Sequence, residues 1–69
     1  KQNLVEAARL YRLAVAQDNA EAQNNLGKMY EDGRGVGKNI CEALLLYTLS
    51  AAQGNVEAQS NVYRLKKKK

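Results

Sequence analysis

Residues 3–26, "NLVEAARLYRLAVAQDNAEAQNNL", and residues 39–62, "NICEALLLYTLSAAQGNVEAQSNV", are two versions of one text, offset by 36 positions. Of the 24 aligned pairs 13 are identical, among them Glu6/Glu42, Ala7/Ala43, Leu10/Leu46, Tyr11/Tyr47, Asn19/Asn55, Ala22/Ala58 and Asn25/Asn61. A match of that density is an internal repeat, and a period in this range is the mark of a solenoid.

Each copy divides into two helices. From Asn3 to Gln17 the apolar residues Leu4, Ala7, Ala8, Tyr11, Ala14 and Val15 recur at three- and four-residue spacing, which predicts a helix with one buried stripe. Asn3 with Glu6, and Asn39 with Glu42, have the spacing of capping boxes. A second helix is expected over about 20–31, presenting Ala22, Leu26, Met29 and Tyr30, and a fourth over about 56–65, presenting Ala58, Val62 and Leu65. The links "QDN" and "QGN" only reverse direction, so neighbouring helices run antiparallel. The expected fold is all-α, a short right-handed α-solenoid of four antiparallel helices. Small residues at Ala16/Ala52 and Ala22/Ala58 suit close stacking of helix pairs better than an up-down bundle.

Between the copies lies "EDGRGVGKN", Glu31–Asn39, whose glycines raise the question of a phosphate loop. A P-loop requires Gly, four residues, then Gly-Lys-Ser/Thr after a strand; here Asp32 stands for the first glycine and Asn39 for the hydroxyl. The dinucleotide fingerprint fails at Lys38, where its third glycine belongs. The loop is read instead as structural: Gly33 closes the second helix in a left-handed conformation, Gly35 and Gly37 fold the chain compactly, and Val36 tucks between the helices.

By this point the residues resemble a known family. Leu26-Gly27, Tyr30, Gly33, Gly35-Val36, Ala43, Tyr47, Ala51-Ala52, Gly54 and Ala58 sit where the Sel1-like repeat has them. That family is a relative of the tetratricopeptide repeat with a longer loop inside each helix pair. The resemblance implies a scaffold for assembling protein complexes, with no cofactor and no small-molecule substrate. Four positions depart from the pattern. Leu10 and Leu46 stand where tryptophan is frequent, and Gly37 where proline is usual. Asp18 replaces the glycine found at Gly54, so Asn19 is expected to carry the left-handed position. Tyr63 replaces the Gly27 equivalent, so a further repeat does not pack there in the ordinary way.

Composition narrows the function. The 69 residues allow one small domain, placed at 1–65, followed by a lysine tail at 66–69 that is disordered or extends the last helix. The net charge of +4 equals the four lysines Lys66 to Lys69; the remaining seven basic and seven acidic residues balance. No histidine is present and Cys41 is alone, which removes ordinary zinc sites, histidine catalysis and an intrachain disulfide. No apolar run is long enough to span a membrane. Ser50 has no visible base, Ser60 sits on a helix, and Cys41 lies in an apolar stretch, so no catalytic set assembles and the chain is read as a non-enzyme.

Two surfaces are candidates for a partner. Where the first copy has Ala8, Arg9 and Arg12, the second has Leu44, Leu45 and Thr48, which makes the third helix apolar nearly all round; Leu45 and Thr48 are assigned to a self-association patch, with a homodimer as its product. Asn24, Lys28 and Glu31 on the second helix and Ser60 and Arg64 on the fourth are assigned to a groove for another protein or peptide. The alternative to a protein-interaction module is weak binding of nucleic acid or an anionic surface through Lys66–Lys69.

Overall fold

The computed structural model describes residues 4–67 as four helices in chain order: α1 (Leu4–Ala16), α2 (Ala20–Asp32), α3 (Ile40–Ala52) and α4 (Val56–Lys67). The start of α3 follows that of α1, and the start of α4 that of α2, by the same 36 residues as the sequence period. The turns repeat too. Asn19 N–H donates to the Ala14 carbonyl at 3.2 Å and Asn55 N–H to the Ser50 carbonyl at 3.3 Å. Asn19 Oδ1 accepts from Ala22 N–H at 3.0 Å, and Asn55 Oδ1 from Ala58 N–H at 2.8 Å. The sequence repeat is therefore a structural repeat of helix pair α1–α2 and helix pair α3–α4.

The core forms where the pairs meet. Ala8, Leu26, Met29 and Leu46 are buried together, with Ala7, Tyr11, Val15, Tyr30 and Val36 packed around them. Ala22, Ala43 and Ala58 are also buried, small residues that let the helices approach. Ala16 and Ala52 are exposed, which corrects their expected packing role: they share the solvent side of α1 and α3 with Arg9 and Leu45, two turns earlier on the same helical face. Leu46 is only 4% exposed while its repeat mate Leu10 is 54% exposed, because Leu46 alone has a preceding helix pair to pack on.

The glycine loop turns a corner. Gly33 takes φ 71° and closes α2, its N–H bonding the Met29 carbonyl, and Gly35 takes φ 77°. Val36 reaches the core, whereas Gly37 needs no left-handed backbone. At the shorter turns Gly54 has φ 94° and Asp18 has φ 65°. The left-handed residue is thus Asp18 and not Asn19, whose extended backbone (φ −86°) is what N-capping of α2 requires. Asp18 also tolerates the conformation because its carboxylate accepts bonds from Gln23 and Gln53 Nε2.

Asn39 caps α3 by accepting from Glu42 N–H at 3.0 Å. Its own N–H donates to the Tyr30 carbonyl at 2.9 Å, so the reciprocal arm of the expected capping box is replaced by a tie back to α2. The Asn3 cap lies outside the described residues, as do Lys68 and Lys69. Lys66 and Lys67 continue α4, where cations complement the helix C-terminus.

Candidate protein-interaction surfaces

The boundary between the two helix pairs is held by a chain of polar side chains that the aligned sequences alone do not show. Tyr47, 0% exposed, lies against Gly27. Its hydroxyl donates to Glu31 at 2.8 Å, and Glu31 in turn receives Arg64 at 2.5 and 2.9 Å. Asn61 donates to Asn24 at 3.0 Å, Ser50 Oγ to the Ala20 carbonyl at 2.6 Å, and Gln53 to Gln23 at 2.9 Å. Among the described residues every buried side-chain N or O has a partner. Burial and the Glu31 hydrogen bond push the Tyr47 phenol well above its ordinary range, and the same carboxylate raises the Arg64 guanidinium.

These bonds reassign the expected groove. Asn24 does not face outward: it is buried between α2 and α4, because its amide completes the Asn61 bond. Glu31 is largely covered, its side chain 15% exposed beneath Arg64. Lys28 and Arg64 remain half-exposed and Ser60 exposed. Lys28 pairs with Glu57 at 2.5 Å and lowers that carboxyl below its usual range. Helical-wheel reasoning failed here since α4 covers part of the α2 face that sequence alone leaves open.

The other candidate face is open. Leu45 is 52% exposed, Cys41 and Leu49 are exposed one turn to either side of it along α3, and Thr48 turns its hydroxyl onto the Leu44 carbonyl at 2.7 Å. That internal bond leaves Thr48 presenting its methyl rather than an unpaired hydroxyl. On the matching face of α1, Arg9 pairs with Glu6 and Arg12 donates to Tyr30 Oη at 3.1 Å. The two faces thus differ at Arg9 against Leu45, whereas Leu13, the repeat mate of Leu49, is exposed as Leu49 is.

Among the described residues no group of three His, Cys, Asp or Glu side chains could hold a metal ion. Among the described residues no helix is long and apolar enough to cross a membrane.

The helix pairs, the loop and the glycine under the tyrosine ring together match the Sel1 repeat model over residues 1–19 and 20–55. The chain belongs to the Sel1 repeat family. A Sel1 repeat protein from Oxalobacter formigenes, known from its crystal structure, is 37% identical and superposes with a TM-score of 0.91 over 94% of this chain. The chain spans 27% of the length of that protein. No curated protein matches it. Sel1 repeats are in general protein-interaction modules.

Proposed function

We propose that this chain is a non-catalytic protein-interaction module that associates through the α3 ridge with a second copy of itself and leaves the Lys28, Ser60 and Arg64 side of α2 and α4 for another protein or peptide. The observation that carries this reading is the outer side of α3, where Leu45, 52% exposed, is flanked one turn to either side by exposed Cys41 and Leu49 while the matching position of α1 holds the charged Arg9. A chain of this size buries only about 60% of its extended surface, so covering the ridge with a second copy adds apolar burial where the monomer is poorest. Polar groups at the centre are committed to holding the repeats together, and Ser50 and Tyr47 point their hydroxyls at internal acceptors, which leaves them no part in catalysis.

Light scattering after size exclusion tests this. The wild type is expected to gain mass with concentration and Leu45→Asp to stay monomeric with an unchanged helical circular-dichroism spectrum. A wild type that remains monomeric up to about 500 μM, well above the range of functional affinities, overturns the self-association reading.

The four C-terminal lysines support the second reading less well. Lys66 and Lys67 lie along α4, and the Lys67 ammonium sits 5.4 Å from the centre of the Tyr63 ring, an intramolecular use of that charge.

A further inference from the structure

One aspartate in the sequence is followed by glycine, Asp32 before Gly33, and no asparagine is. A glycine in that place leaves its own backbone nitrogen the least hindered path to the side-chain carboxyl of the residue before it. At the other aspartate, Asp18, the following nitrogen belongs to Asn19, whose Cβ crowds the approach, and the carboxylate is held by Gln23 and Gln53 Nε2. Asp32 is exposed, and its carboxylate makes no hydrogen bond among the described residues.

The backbone opposes the reaction that the side chain allows. Asp32 is the last residue of α2, and a helical ψ of about −42° turns the following nitrogen away from the side chain. The Gly33 N–H is also committed to the Met29 carbonyl, which the Arg34 N–H shares at 3.0 Å. Two ties hold this cap closed. Val36 packs against the core, and the Asn39 N–H donates to the Tyr30 carbonyl at 2.9 Å. Attack on the carboxyl therefore requires the cap and the loop behind it to open, a local event that leaves the rest of the fold in place.

We propose that Asp32–Gly33 is a site of spontaneous covalent modification, the isomerisation of aspartate to isoaspartate, and that opening of the α2 cap sets its rate. In the open cap the Gly33 nitrogen bonds to Asp32 Cγ. The carboxyl hydroxyl leaves with the nitrogen's proton as one water, and a five-membered succinimide closes. One water then adds back. Addition at the main-chain carbonyl breaks its original bond to the Gly33 nitrogen and leaves the chain running through Cγ; addition at Cγ restores aspartate. The isoaspartyl product carries an extra backbone methylene next to Glu31, the acceptor of both Tyr47 and Arg64, so the modification loosens the cap and the polar chain across the repeat boundary together. The site goes beyond the interaction reading and uses none of the outer side of α3.

The test keeps the full chain in mildly acidic buffer, where part of the carboxyl is protonated, with and without urea. Trypsin releases residues 29–34, and the isoaspartyl form of that peptide elutes apart and resists an aspartate-specific protease. Product is expected in the native chain at a rate on the order of tenfold or more below that in urea. Val36→Ala, which frees the loop from the core, should raise the native rate several-fold with the helical circular-dichroism spectrum retained. Gly37→Ala, with open space around it, should lower it. Asn55→Ala, which weakens the α4 cap at the far end of the molecule, should leave it unchanged, and Asp32→Glu should give no product. Equal rates with and without urea overturn the proposal, as does the absence of product from the native chain over about a hundred half-times of the unfolded reaction. A native rate that Asn55→Ala raises as much as Val36→Ala does would assign control to global unfolding and also overturn it.

Discussion

Replacing Gly27 by alanine separates packing from helix propensity, because the two predict opposite signs. Gly27 lies inside α2, where glycine costs about 1 kcal/mol relative to alanine, so propensity alone makes Gly27→Ala stabilising. The structure says otherwise. A Cβ there would lie 2.8 and 2.9 Å from Tyr47 Cε1 and Cδ1 and 3.3 Å from the Ala43 carbonyl oxygen. Carbon atoms rest near 3.5 Å apart, so the ring must retreat by about 0.6 Å. Tyr47 is fully buried and its hydroxyl is held on Glu31, so retreat strains both the packing and the hydrogen bond. Overpacking costs about 1–3 kcal/mol, and the strained bond on the order of 1 kcal/mol. Set against the propensity gain, the net is a loss of about 2 kcal/mol, or roughly 8–16 °C in Tm for a domain of this size. Thermal and urea unfolding followed by circular dichroism measure it. A Gly27→Ala protein as stable as the wild type, or more so, would refute the close approach of α2 and α3 at Tyr47.

Three further outcomes are expected. Tyr47 has a raised pKa in the fold, so its neutral form is the stabilised one: the contribution is complete below the unfolded value near 10 and is lost as pH rises above it, at up to about 1.4 kcal/mol per unit. Loss of stability above pH 10 should therefore be steeper for the wild type than for Tyr47→Phe, the lysines titrating in both, and parallel curves would contradict the assignment. Gly33→Ala should cost about 1–2 kcal/mol, since φ is 71° and Lys38 Cβ stands 3.1 Å from the added carbon, whereas Gly37→Ala, with open space and no left-handed backbone, should stabilise by about 0.4–1 kcal/mol; equal effects in urea denaturation would refute the loop geometry. Asn19→Ala and Asn55→Ala should each lose about 1 kcal/mol in the same assay, as both side chains cap a helix.

The helices, their turns and the stacking of two pairs are legible in the sequence because one period of 36 repeats both the apolar spacing and the capping asparagines. The exposure of Leu45 is legible for the same reason, as a difference between two copies in equivalent positions. The buried state of Asn24 is not. A wheel drawn on α2 alone counts the side facing α4 as solvent, and only the position of Asn61 makes an amide worth burying there. Asp18 was hidden differently: asparagine and aspartate both tolerate the left-handed region, and the choice went to the residue whose neighbour was needed, extended, as the cap of α2. The polar chain Tyr47–Glu31–Arg64 spans three helices and has no sequence signature, although the identity of Tyr11 with Tyr47 marks the position as special.

The proposed self-association through the outer side of α3 is tested most directly by the amide ¹⁵N–¹H spectrum of the labelled protein recorded from about 10 μM to about 500 μM, a range that brackets weak association. Concentration-dependent shifts are predicted along the outer side of α3, at Cys41, Leu45, Thr48 and Leu49, with the buried Tyr47 and Ser50 amides unmoved. A spectrum that does not change over the whole range, or changes that gather at Lys28 and Arg64 instead, would contradict it.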